Sequence, residues 1–187
     1  MDANIDQKKR LVDGNALFRK GADPAFLKKL AGGQQPFIAI LACSDSRVVP
    51  ETLFTLKPGD AFVVRVAGNT AADPVVIGSL EYAVEHLRVR SILVLGHTGC
   101  GAVAAAMAPS SKETPGLKAS IKEIERAKFR LPTDQQGNAM LVSENNVRLQ
   151  VKAIQDNSMV IGRMAVEGSL TMYGAMYDVL TGDVRFI

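Results

Sequence analysis

At 187 residues, 47% of them apolar, the chain is long enough to bury one sizeable core and too apolar to be disordered. Its formal charge of +3 comes without a basic tract, which gives a nucleic-acid role no support. No apolar run approaches the roughly 18 residues that a membrane span needs, and MDANIDQKKR at the start lacks the apolar stretch of a secretory signal. The expected location is cytoplasmic, with the proviso that a leader already removed would leave no trace.

In chain order, residues 1–32 read as helical. Asp23 is placed to cap a helix with Pro24 at its first position, and Gly32-Gly33 stops it. PFIAILAC, 36–43, is a continuous apolar run of the kind found in strands buried on both faces. VVPETLFTL is a short helix, Pro58-Gly59-Asp60 a turn, and AFVVRV, 61–66, a second strand. Asp73-Pro74 repeats the cap-then-proline device, and Val76, Leu80, Ala83, Val84 and Leu87 make a helix stripe that Tyr82 falls off. SILVLGH, 91–97, is a third strand, and a helix follows from Gly99 to Met107. Amphipathic helices are predicted over 117–129 and 143–156, and the chain closes as a hairpin turning at Thr181-Gly182-Asp183. Strands alternating with helices imply an α/β fold around a parallel sheet. Ligands of such sheets bind beyond the C-terminal strand ends, where Cys43, His97 and, one turn on, Cys100 all fall.

His97-x-x-Cys100 lets two ligands face one ion from a tight turn, and Cys43 adds a second thiolate from another strand. Two cysteines and one histidine match a catalytic zinc shell, which uses three protein ligands and leaves a position open. Thiolates favour zinc over magnesium or calcium. The competing readings are two core cysteines with a satisfied histidine, or a Cys43–Cys100 disulfide in a redox protein. Asp45 and Arg47 favour the metal, because an ionised acid beside two thiolates needs a cation. Asp45 is either a conditional fourth ligand or is held off the ion by a bidentate pair with Arg47.

CSDSR at 43–47 followed about fifty residues later by GHTGCG resembles the β-class carbonic anhydrases. The resemblance extends over FVVRVAGN, SLEYAVEHL and GAMYDVLTGDV, hence over most of the chain. It implies a single domain, 1–187, with a mostly parallel four-stranded sheet, an antiparallel fifth edge strand and flanking helices. It implies one zinc ion per chain held by Cys43, His97 and Cys100. It also implies a homodimer or larger homo-oligomer, with sites near the subunit interface and the arm 1–32 packed on a partner subunit. The activity it implies is reversible hydration of CO2 to bicarbonate and a proton, with an Asp45–Arg47 dyad orienting a zinc-bound hydroxide. Gln34, Phe62, Ala67, Tyr82 and Gly101 match substrate-site positions. Members with a closed state resemble one another in a tryptophan three residues before the first zinc cysteine. Ile40 stands there, so the open form is expected and Arg65 is read as structural. Alternatives are a carbonyl sulfide or carbon disulfide hydrolase on the same scaffold, and a non-catalytic zinc-binding protein. His86, the second histidine, is the one side chain of its type left to carry protons; otherwise buffer carries them.

A pH prediction follows from the ligand set. Two thiolates formally neutralise the zinc dication, so its water is less acidic than beside three histidines. Turnover is expected to rise through mildly alkaline pH. A pH–rate profile already flat from about pH 6 upward would contradict this.

Overall fold

In the computed structural model, which describes residues 6–108 and 113–187, the apolar runs become the strands of one sheet. The chain divides into two units, Met1–Gln34 and Gln35–Ile187. The first holds helices α1 (Gln7–Gly21) and α2 (Pro24–Ala31), neither with a buried residue. Asp23 caps α2 as predicted, accepting from the Ala25 N–H at 2.9 Å. The first five residues of the predicted helical stretch lie outside the described residues.

The second unit holds β1 (Ile38–Cys43), α3 (Pro50–Leu53), β2 (Ala61–Val66), α4 (Pro74–Glu85), β3 (Ser91–His97), α5 (Gly101–Met107), α6 (Pro115–Phe129), α7 (Ala139–Asn157), α8 (Met159–Val166), β4 (Thr171–Tyr177) and β5 (Val184–Phe186). The strand order is β2-β1-β3-β4-β5, with the first three pairings parallel and β4–β5 antiparallel, as expected. Both faces are covered. Ala39, Leu41, Ile92 and Val94 enter one core cluster, while Ile40, Ala42, Leu93 and Leu95 enter the other. That alternation explains why the strands read as unbroken apolar runs. From β1 the chain passes to β2 on one side and then to β3 on the other. The carboxyl ends of β1 and β3 therefore flank the topological switch point, where open α/β sheets bind ligands.

Several boundaries move for identifiable reasons. The strand predicted over 36–43 starts at Ile38, because Pro36 has no N–H to give a ladder. The helix after β1 shrinks to four residues, stopped by Thr55 at φ 54°. The helix expected from Gly99 starts at Gly101, since Gly99 takes φ 64° and Cys100 is the N-cap. Asn138 starts α7 before residue 143 by accepting from the Met140 and Leu141 N–H groups. Packing is close where the start of α8 meets the end of α7. A Cβ on Gly162 would sit 2.5 Å from the backbone oxygen of Gln155. Gly162→Ala is expected to cost about 1–3 kcal/mol, seen as a Tm lower by on the order of 5 °C. An unchanged thermal midpoint would show that the α7–α8 corner yields freely.

Candidate active site

Strand pairing brings the predicted ligands together. Cys43 ends β1 and His97 ends the adjacent β3. A two-residue turn then returns the chain so that Cys100 caps α5. Gly99 makes that turn possible, its φ of 64° being a conformation that side chains disfavour. One ligand atom from each of Cys43, His97 and Cys100 lies within 4.8 Å of the others, and all three residues are buried. The two sulfurs are 4.0 Å apart and free. That is about twice a disulfide bond length, and close to the roughly 3.8 Å between two sulfurs on a tetrahedral zinc with bonds of about 2.3 Å.

The donor set fits a metal on chemical grounds as well. His97 is 1% exposed, its Nδ1 lies 3.0 Å from the Thr98 carbonyl, and its Nε2 is buried without a partner. With the proton on Nδ1, the imidazole donates to that carbonyl and turns a bare lone pair of Nε2 into the cluster. The Cys43 thiol is drawn down to about 4, chiefly by the hydrogen bond with Cys100 and against the opposing effect of burial. Cys100 is pushed up by that same bond to Cys43 and by burial. Their mutual contact therefore favours one thiolate over two, and a dication beside both sulfurs would let both bind as thiolates. Gly68, which the sequence reading passed over, donates its N–H to Cys43 Sγ at 3.3 Å.

Asp45 stands beside the cluster but outside it. Its Oδ2 is 4.0 Å from His97 Nε2. Arg47 holds both carboxylate oxygens. Nε donates to Oδ1 at 2.9 Å, Nη2 to Oδ2 at 2.6 Å, and the Arg47 backbone N–H to Oδ1 at 3.0 Å. The same Nη2 donates to the Gly99 carbonyl at 3.1 Å, tying the loop after β1 to the turn after β3. The hydrogen bonds from Arg47 hold the Asp45 carboxyl far below the usual carboxylate range. Arg65 braces the same loop, donating to the Cys43 carbonyl at 3.2 Å and the Asp45 carbonyl at 2.7 Å.

The remaining candidates divide into two groups. Ala67 directly follows Val66, the register partner of Cys43, and Gly101 follows Cys100 at the start of α5; both are exposed. Phe62 pairs with Ala39, four residues before the Cys43 level, which is about 13 Å down the strand. Tyr82 packs on Phe62 with ring centroids 6.1 Å apart, and the exposed His86 stacks on Tyr82 at 5.0 Å. This aromatic group lies toward the far end of the sheet from Cys43 and His97 of the same chain. Gln34 is exposed in the N-terminal unit.

Comparison with known proteins agrees with this geometry. Residues 38–184 match the family model described as carbonic anhydrase. Carbonic anhydrase 2 of Mycobacterium tuberculosis is 36% identical over 82% of this chain and 75% of its own. The carbonic anhydrase of Pseudomonas aeruginosa is 33% identical over 93% of this chain and 84% of its own. A tetrameric β-carbonic anhydrase from Sordaria macrospora superposes with a TM-score of 0.84 at 28% identity, covering 96% of this chain and 95% of its own. The Coccomyxa β-carbonic anhydrase, solved with acetazolamide, gives 0.81 at 29% identity over 96% and 83%. The five-stranded sheet, the Cys43–His97–Cys100 cluster and these matches together place the chain in the carbonic anhydrase family, in its β class.

Proposed function

We propose that the protein catalyses the reversible hydration of CO2 to bicarbonate and a proton. The observation that carries this reading is the bidentate Arg47 clamp, which holds an ionised Asp45 beside the ligand cluster rather than in it. Zinc held by Cys43, His97 and Cys100 supplies a Lewis acid that makes water nucleophilic near neutral pH. With both oxygens engaged by Arg47, Asp45 accepts a hydrogen bond from the attacking water at Oδ2 and turns a lone pair of that water toward CO2. Gly101 offers its backbone N–H to a substrate oxygen, and the small side chain of Ala67 leaves room beside it. Isotope exchange tests the choice of substrate. Loss of 18O from labelled CO2, without hydrogen sulfide release from carbonyl sulfide or carbon disulfide, is the expected result. The reverse pattern would replace CO2 by those substrates.

In the same reading Phe62, Tyr82 and Gln34 serve the site of a second subunit. Two features support this. β2 is an edge strand whose aromatic neighbour Tyr82 is 46% exposed, and α1 leaves Leu11, Leu17 and Phe18 uncovered, at 75%, 72% and 54%. Apolar residues at that level of exposure along a helix call for a partner. The Leu17→Glu/Phe18→Glu double variant is expected to shift light scattering to a smaller species and to lower kcat/KM. An unchanged assembly with full activity would remove the N-terminal helices from the interface.

A further inference from the structure

Behind Cys43 runs a closed set of buried polar contacts that the proposed reaction does not use. Gly68 adopts φ 71°, ψ 17° and donates its N–H to Cys43 Sγ at 3.3 Å. The Gly68 carbonyl accepts from Asn146 Nδ2 at 2.9 Å. Asn146 Oδ1 accepts from Gln150 Nε2 at 3.0 Å, and Gln150 Oε1 accepts from the Ala71 N–H at 2.8 Å. Asn146 is 1% exposed and Gln150 is fully buried. The two amides stand one turn apart on α7, and both ends of their chain close on the same segment, 68–71.

Two buried primary amides cost free energy unless fully paired. Here each amide donates one bond and accepts one. Turning over the Asn146 amide would set oxygen against the Gly68 carbonyl and nitrogen against the Gln150 nitrogen, so the direction of the chain is fixed. A side chain at Gly68 would be strained by the positive φ and would press on its neighbours. A Cβ there would lie 2.6 Å from Ile124 Cδ1 and 3.2 Å from Ala102 Cβ. The segment is thus a glycine in a left-handed conformation, held at its carbonyl so that its N–H meets the sulfur. A hydrogen bond to a ligating thiolate withdraws charge that the sulfur would otherwise give to the metal.

We infer that Asn146 and Gln150 are positioning residues for the metal centre: through the Gly68 carbonyl they aim the Gly68 N–H at the Cys43 sulfur, and so set how much charge that thiolate gives the zinc. The inference rests on the proposed function for its purpose, yet it can be read without substrate. In the cobalt-substituted holoenzyme, Asn146→Ala and Gln150→Leu should move the thiolate-to-cobalt charge-transfer band to lower energy. Asn145→Ala is the control. It removes a comparable bond from α7, Asn145 Nδ2 to the Ala127 carbonyl at 2.6 Å, and should leave the band in place. Bands unmoved in folded Asn146→Ala and Gln150→Leu, or moved equally by Asn145→Ala, would overturn the assignment. The wild-type protein offers a test that no misfolded variant can spoil. With 113Cd in the site, the Gly68 amide proton should couple to the metal across the N–H···S contact, and absence of that coupling would also overturn the assignment. Neither readout depends on CO2 turnover, so a failure here is distinct from a failure of the proposed reaction.

Discussion

His97→Ala is expected to lose zinc and to reduce CO2 hydration to the uncatalysed background, a fall of at least about 10³-fold. The site has three ligand side chains in its cluster, and the imidazole is the one neutral donor among them. Without it, the two sulfurs alone remain in the cluster. Cys43 is drawn down and Cys100 pushed up by their mutual contact, which disfavours the second thiolate. A dication then has two side-chain ligands rather than the three that a catalytic zinc site uses, and must itself displace the proton from the second sulfur. Thermal unfolding gives an independent check. A metal bound at about 1,000 times its Kd stabilises the native state by about 4 kcal/mol. A chelator should therefore lower the wild-type Tm by about 10 °C and leave His97→Ala unaffected. A variant that retained one zinc per chain and most of its turnover would mean that the ion sits elsewhere.

Asp45→Asn should behave in the opposite way with respect to metal. It is expected to keep one zinc per chain and to lose on the order of 10²–10³-fold in kcat/KM, as when a single orienting group is removed from a preorganised site. The isosteric amide still meets Arg47 but has lost the charge and one acceptor that the guanidinium and the attacking water both use. Arg47→Ala is expected to fail by another route. Freed from the clamp, Asp45 is within reach of the cluster, its Oδ2 already 4.0 Å from His97 Nε2. The pH dependence of this pair has a definite sign. The folded Asp45 carboxyl titrates below its unfolded value, so the ionised pair is present above the ordinary carboxylate range. It is lost only as pH falls through the depressed value. A decline in turnover between neutral and mildly acidic pH should therefore keep its midpoint in Arg47→Lys, which retains a cation beside the carboxylate. Loss of zinc from Asp45→Asn would make Asp45 an obligatory ligand and contradict the clamped arrangement.

Local chemistry made the Cys43–His97–Cys100 cluster legible. Cys43 and His97 end apolar runs, and β1 and β3 are neighbours because the chain passes back across the sheet. Asp45 and Arg47 sit two residues apart, close enough for their pairing to be read from spacing. The caps at Asp23 and Asp73 were equally visible, since each is followed by proline at the first helical position. Long-range and backbone interactions were not. Gly68 acts through an N–H that every residue but proline has, and only its conformation and the crowding by Ile124 set it apart. Asn146 and Gln150 occur in a helix with many polar residues, where nothing local marks them as buried. Helix α8 escaped notice because Ser158 caps it directly at the end of α7, and its sharp entry depends on Gly162 clearing the Gln155 carbonyl. Phe62 and Tyr82 illustrate a different limit. Their types suit a pocket, but the strand register sets them about 13 Å from the Cys43 level in the same chain.

Stopped-flow CO2 hydration, run from mildly acidic to clearly alkaline pH with zinc assayed in the same sample, decides whether this site hydrates CO2. One zinc per chain with turnover rising through alkaline pH is the predicted result. One zinc per chain with no turnover anywhere in that range would contradict CO2 hydration as the reaction of this site.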